Sequence, residues 1–460
     1  MEFTNLFGRK ADGYTSRIIE LTESAHAKKT GVAMSATKKS LLETVLTTTS
    51  AFYDDRAKAQ GLKESVDGSA ITQGNAFGDY KVFSAQVGAA VFANLIASEL
   101  VITKPMTSRT GYLRYTSYVA GTNKGQTKAG DLFSNPWGLG KVNPDYTGNH
   151  VVENAVGDGT KVAFDVLYAP TSVEKITVNG VEVAVTDFTV AGNVITFTTA
   201  PAADAVIKIG YVYDNEVLPQ ENLPTLVATD TGITLEAKVR RIAIYYDALA
   251  AFDAKQAYGE DLPKNLREQA VSELSREIDT EVTNLLIDNA DVDASLLFSQ
   301  TKPVDYYSVA DYYNSFGVIV SRASSILYKR TQRFNATYML ASSDILPILG
   351  MTNGFKAASQ GNNAGPFFAG TFQGIKIYVL PQIQEESYLV GGVSKSGFKL
   401  VFGVNGSDLK SSAAVFAPYM SIVPSQMLQT ADMMVQQGWA TLYDVELLNK
   451  NLLVAGLLTA

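Results

Sequence analysis

The chain has no cysteine, only two histidines (His26 and His150), and no apolar run approaching the ~18 residues a membrane helix requires. Without cysteine there are no disulfides, thiolate metal sites or cysteine nucleophiles, and the redox compartment stays open. Both histidines stand in polar stretches, where they read as surface residues, so a Ser-His-acid triad lacks its base. Basic character is also scarce: formal net charge is −8, with no basic stripe, which argues against wrapping nucleic acid as the main task. The opening residues MEFTNLFGRKADGY lack the apolar core of a signal peptide, so the expectation is an intracellularly made protein with no membrane partner.

Other chemistry also fails for want of a residue. Asp288, Asp291 and Asp293 lack the glycine and closing glutamate of a calcium loop and read as a helix-ending turn. Gly138-Leu139-Gly140-Lys141 lacks phosphate-loop spacing. No catalytic, cofactor or metal site is expected. Charged residues make up 18% of the chain, low enough that partners would cover much of the surface. Twenty-three tyrosines, with runs at Tyr245-Tyr246, Tyr306-Tyr307 and Tyr312-Tyr313, suit subunit contact or ordinary packing equally.

The strongest positive signal is a long helix. From Leu262, apolar residues recur at Leu266, Ala270, Val271, Leu274, Ile278, Val282, Leu285 and Leu286, one buried stripe at helical spacing. Glu260 and Asp261 favour its start, Pro263 fits its first turn, and Lys264/Glu268, Glu273/Arg276 and Arg276/Asp279 are spaced to pair on the wet face. About 25 residues make a rod of about 38 Å. Leu266, Leu274, Ile278, Val282 and Leu285 are its core candidates. Before it, Ile233–Tyr246 alternates as a single strand whose phase slips at Arg241. On that strand Lys238, Arg240 and Arg241 read as subunit contact in preference to phosphate contact.

Elsewhere, residues 1–75 read as an arm of short amphipathic helices joined by links such as Thr47-Thr48-Thr49-Ser50. It is either a solvated terminus or an arm reaching a neighbouring subunit. Val82–Leu100 has helical spacing, and a proline-broken entry then leads to a strand ending near Ala120. Gly121–Asn143 reads as an exposed tip. Between Tyr146 and Tyr213, short alternating segments and the hairpin signal Asn179-Gly180 imply an inserted sandwich or barrel. Its core candidates are Phe164, Ile176, Val178, Phe188, Ile195, Phe197, Ile207 and Ile209. Asp311–Arg330 reads as one helix, and Ala336–Leu340 as a strand. A short helix follows, cut at Pro347, then a turn or bulge at Gly370-Thr371-Phe372 before the strand Ile375–Val379.

LVITKPMTSRTGYLRYTSYVAG, the strand-to-long-helix passage, AGTFQGIKIYV and AAVFAPYMSIVP resemble tailed-phage major capsid proteins, closest to the T-even-type myovirus branch. The resemblance covers about residues 82–120 and 233–448. It implies an α+β, Hong Kong 97-type capsid fold with an inserted all-β domain. The chain would divide into an N-terminal arm (1–75), a first P-domain segment (76–112), outgoing E-loop (113–145), inserted domain (146–215) and returning E-loop (216–244). The P-domain spine helix (245–298), A-domain (299–425) and a return to the P-domain (426–460) would follow. Tyr112, Tyr115 and Tyr118 on the outgoing strand join Lys238, Arg240 and Arg241 as candidate subunit-interface residues.

The implied function is a virion protein, assembled in the host cytoplasm as hexamers and pentamers of an icosahedral head shell around DNA. Scaffold, portal and decoration proteins would be its partners. A nanocompartment shell shares the fold, and a β-rich bacterial surface protein is a weaker alternative. The branch also implies protease motifs, at Ile18-Ile19-Glu20, Leu41-Leu42-Glu43 and Leu62-Lys63-Glu64, in an arm expected to stay uncut. Asn123, Lys124 and Lys128 near the loop tip read as turn formers without covalent cross-linking.

Overall fold

Threonine-rich stretches usually resist helix formation, yet the second helix of this chain runs straight through one. In the computed structural model, helix α1 covers residues 17–24 and α2 covers Ala36–Ala59. Thr44, Thr47, Thr48 and Thr49 each return their hydroxyl to the carbonyl four residues back, at 2.6–3.0 Å. Polar groups that would compete for the backbone are thereby used within the helix. The expected link at Thr47–Ser50 is therefore helical. Leu41, Leu42, Val45 and Leu46 are buried, and Thr49 and Tyr53 bond Ser421 (2.8 Å) and the Pro424 carbonyl (3.3 Å). This segment of the expected arm packs on its own chain.

The described residues are 17–24, 34, 36–59, 91, 95–133, 142, 144–216, 223–331, 333–358, 366–406, 408–425, 427–430 and 432–459. Most of the expected helix Val82–Leu100, the motif Leu62–Glu64 and His26 lie outside them. The chain forms two compact units, one of residues 1–113, 233–330 and 334–460, the other of 114–232 and 331–333.

After the short helix α3 (Ala97–Leu100) come β1 (Ile102–Thr103) and β2 (Thr110–Ala120). The second unit continues with β3 (His150–Val156), β4 (Ala163–Asp165), β5 (Pro170–Val178), β6 (Val181–Glu182), β7 (Phe188–Ala191), β8 (Val194–Phe197) and β9 (Val206–Tyr213). Sheets β3-β9-β5-β6 and β4-β8-β7 share one core. Asn179 and Gly180 turn the β5–β6 hairpin with φ of 51° and 84°, the positive values a tight two-residue turn needs. Seven of the eight expected core residues are buried and Val178 is partly so. Val151, Val166, Tyr168, Tyr211 and Tyr213 complete the cluster.

The expected strand Ile233–Tyr246 is two strands, β10 (Leu226–Glu236) and β11 (Lys238–Asp247). Partners change at Ala237: β10 pairs with β2, β11 with β21. Then follow α4 (Ala248–Tyr258), α5 (Leu262–Asn289) and β12 (Val292–Ser299). The expected helix Asp311–Arg330 is broken into α6 (Val309–Asn314) and α7 (Phe316–Thr331), where the Ser315 hydroxyl bonds the Tyr312 carbonyl at 2.6 Å. Strand β13 (Tyr338–Ala341) leads to α8 (Leu346–Met351), which Pro347 begins and does not cut, since a first-turn proline forfeits no helical bond.

Strands β14 (Lys356–Ala357), β15 (Phe367–Phe372), β16 (Ile375–Val379), β17 (Glu385–Val390), β18 (Val393–Gly403), β19 (Ala414–Pro424), β20 (Leu428–Gln429), β21 (Met434–Leu447) and β22 (Leu453–Thr459) complete the chain. They build two sheets of the first unit, β1-β19-β21-β11 with β20 on β21, and β12-β22-β18-β13-β16-β15-β14 with β17 on β18. The expected division at 425 does not follow the sheets. Strand β19 leaves the second sheet for the first, while β12 and β22 belong to the second. Pairings over such sequence distances leave no local pattern to read.

Candidate subunit-contact surfaces

The long helix α5 is capped by Asp261, whose carboxylate accepts from the Lys264 amide at 3.1 Å. Leu274, Ile278 and Val282 are buried, with Leu266 and Leu285 half-buried beside them. Lys264–Glu268 and Glu273–Arg276 pair on the outer face. Asp279 does not join Arg276. It is 8% exposed and accepts from the Ala97 amide at 2.8 Å, supplying an acceptor where α3 begins. Burial pushes its pKa up to about 6, against the opposing pull of the Ala97 and Ile96 amides and of Lys38. A carboxylate one residue past Ile278 on a broad buried face was the available signal.

Strand alternation separates the basic pair on β11. Arg240 faces α5: its guanidinium bonds Glu281 at 2.5 Å and lies 5.0 Å from the Tyr443 ring centroid, while the Tyr443 hydroxyl bonds the same carboxylate at 2.6 Å. Its partners among the described residues, Glu281 and Tyr443, lie in its own chain. Arg241 and Lys238 are exposed. Tyr112 and Tyr118 are exposed on one face of β2, and the Tyr115 side chain lies outside the described residues. In the second unit Arg114 and Thr116 both bond Asp230, joining β2 to β10, and the Arg114 hydrogen bond holds the Asp230 pKa below the usual carboxylate range.

The expected exposed tip is partly buried. Lys124 is 4% exposed and donates to the carbonyls of Tyr146 (2.8 Å) and Gly148, with its ammonium 5.2 Å from the Tyr213 ring centroid. A second polar centre surrounds Glu99. Its carboxylate meets Lys38 (3.3 Å), Lys376 (3.3 Å) and the Tyr378 hydroxyl (2.6 Å), and Asn405 donates to its carbonyl at 2.8 Å. Burial works to raise the Glu99 pKa, but the Tyr378 hydrogen bond and the two lysines outweigh it and hold it low. Glu99 thus ties α2 and α3 to β16. None of these contacts has a spacing that could be read in advance.

Among the described residues no group of three or more His, Cys, Asp and Glu side chains could hold a metal ion, and no helix is long and apolar enough to cross a membrane.

The sequence and fold are similar to those of known proteins. The major capsid protein of Vibrio phage KVP40 is 23% identical over 234 residues, 46% of this chain and 43% of the relative, so the match spans less than half of that protein. The capsid of Myoviridae phage XM1 matches 69% of this chain and 88% of its own, at 8% identity and a TM-score of 0.35. The SrpI encapsulin of Synechococcus elongatus matches 51% of this chain and 78% of its own, at 10% identity and a TM-score of 0.33. The family described as Major capsid protein Gp23 matches residues 86–453, four-fifths of the sequence. The chain belongs to the Gp23 family of phage major capsid proteins, with their Hong Kong 97-type fold.

Proposed function

We propose that the chain is the head-shell subunit of a tailed phage, a structural protein that assembles as hexamers and pentamers into an icosahedral container for DNA. The observation that carries this reading is the family match over residues 86–453. It favours a phage head over a nanocompartment or a bacterial surface protein. In this reading α5 with the β1-β19-β21-β11 sheet forms the P-domain, β2 and β10 the E-loop, and the sheet running from β12 to β14 the A-domain. The β3–β9 sandwich is the insertion. Each E-loop lies across a neighbouring copy, and Tyr112, Tyr115, Tyr118, Lys238 and Arg241 contribute contacts there, with Arg240 bracing the strand from behind.

Strength in such a shell comes from many shared interfaces, each of roughly 800 Å² per partner. An acidic subunit confines DNA without gripping it. Assembly takes place in the host cytoplasm, with scaffold, portal and decoration proteins as partners. Electron microscopy of the purified protein, with sedimentation across a concentration series, tests the reading. Closed shells or capsomers are expected, and a protein that remains monomeric throughout overturns it.

A further inference from the structure

Helix α4 is built the wrong way round for a lone subunit. Surface helices turn their large apolar side chains inward. Here Ala248, Ala251 and Ala254 are the half-buried residues, none of the 11 is fully buried, and Leu249 and Phe252 are 62% and 61% exposed.

The adjoining sheet also exposes apolar side chains. Tyr245 on β11 and Leu428 on β20 both pair with Gln436 of β21, and directly opposed residues share one face of a sheet. Tyr245 is 61% and Leu428 57% exposed. Met433 lies beside the first turn of α4, its carbonyl accepting from the Ala248 amide at 3.1 Å. Its φ is +61°, in the left-handed region that disfavours a side chain, and the turn holding it leaves Met433 half-exposed.

Together the five residues expose roughly 600 Å², the upper end of what a typical monomer leaves bare and approaching the ~800 Å² one partner gives to a standard interface. Charge at the rim narrows the occupant. Arg241 lies on the same face as Tyr245, Lys255 follows Phe252 by one turn, and among the described residues neither has an ion-pair partner. Asp253 and Asp432, exposed beside Phe252 and Met433, make the rim mixed in sign, and a second copy of the same chain presents both signs to complement it.

We propose that Tyr245, Leu249, Phe252, Leu428 and Met433 form a contact face occupied by a second copy of this chain. The inference rests on the shell reading above and assigns that reading a surface outside the E-loop.

The absence of cysteine permits a direct test. Full-length Phe252→Cys is treated with a maleimide as dissociated subunits and as assembled particles. Rapid labelling of free subunits is expected, with labelling about tenfold slower in particles, because packed interface cores exclude solvent. If Phe252→Cys subunits are folded but fail to assemble, that loss supports the face, and Gln256→Cys, one turn further along α4, carries the label instead. Equal labelling in both states overturns the proposal. Slow labelling of free subunits also overturns it, since a segment of the same chain then covers the face. Wild-type protein that never assembles overturns the shell reading and this contact together, whereas wild-type shells with a freely labelled position overturn the contact alone.

Discussion

Asp279 makes the fold of this subunit pH-dependent in a direction opposite to that of its paired surface carboxylates. It lies on the buried face of α5, accepts from the Ala97 amide, and among the described residues has only Lys38 as an attracting side-chain charge. Its folded-state pKa is pushed up to about 6 from 3.8, so between those values the folded chain binds more protons than the unfolded one. Unfolding stability attributable to this group is then greatest below its unfolded pKa and falls as pH rises through about 6. At 1.36 kcal/mol per pKa unit the span is about 3 kcal/mol, a sizeable part of a typical ~5–15 kcal/mol total. The perturbation is Asp279→Asn, whose side-chain carbonyl can still accept from Ala97 but carries no charge. Urea unfolding of unassembled subunits at pH 4.5, 5.5, 6.5 and 7.5 should show the variant gaining on wild type by about 2 kcal/mol across the range, the part of the span that lies above pH 4.5. Taking the difference removes the opposing trend of Glu99, Asp230 and Asp293, whose lowered pKa values favour the fold at higher pH. A difference that stays flat with pH would refute the reasoning, showing that the buried carboxylate finds compensation that Lys38 and two amides do not provide.

Three further outcomes are expected. Arg240→Ala leaves the Glu281 carboxylate half-buried without its guanidinium and should lower unfolding stability by about 1.5–3 kcal/mol, read from the urea midpoint, whereas Arg241→Ala should change it by less than about 0.5 kcal/mol. Gly403→Ala drives a methyl into Cζ and the hydroxyl of the buried Tyr338, so melting of the variant should fall by several degrees, and an unchanged melting temperature would show that this strand can move aside. Particles boiled in detergent should release a single species near 49.5 kDa or its processed size, because the Lys124 ammonium is held by carbonyls of its own chain, and a ladder of multimers joined through Lys124 would contradict that placement.

Much of the architecture was legible where one periodicity persists. The α5 stripe from Leu266 to Leu286, its Asp261 cap and the Asn179-Gly180 hairpin follow from local rules that tertiary contacts do not override. Failures came where a distant partner decided. Ile233–Tyr246 reads as one strand with a phase slip at Arg241, but β2 and β21 take separate parts of it and divide it at Ala237. Thr47–Ser50 looks like a link until the threonine hydroxyls find carbonyls one turn back and β19 covers the apolar side. The contact residues were the least legible. Arg240 and Arg241 are neighbours of like charge in sequence, and only the pairing of β11 with β21 and the packing of α5 give one an internal carboxylate and leave the other exposed. The Ile18–Glu20 and Leu41–Glu43 protease motifs sit on helices with Ile18, Ile19, Leu41 and Leu42 buried, so a protease would require those helices to open before cutting there.

The polar groups of α5 answer a problem that its apolar stripe creates. Ala270, Leu274, Ile278, Val282 and Leu286 repeat every four residues, so sliding the helix by one turn, about 5.4 Å, lays the stripe almost onto itself. Hydrophobic burial alone discriminates weakly between such registers. In one direction, Thr283 replaces Asp279 beneath the Ala97 amide and Leu285 replaces Glu281 opposite Arg240, leaving that guanidinium without its carboxylate. In the other, Glu277 replaces Glu281 and still satisfies Arg240, but Ser275 replaces Asp279. Arg240 alone therefore excludes only one slide, whereas Asp279 opposes both, because neither Thr283 nor Ser275 supplies a carboxylate to the amides it caps. The desolvation cost that raises the Asp279 pKa is then the counterpart of axial specificity: a neutral apolar residue there would be cheaper to bury and would leave the position of the helix less well determined.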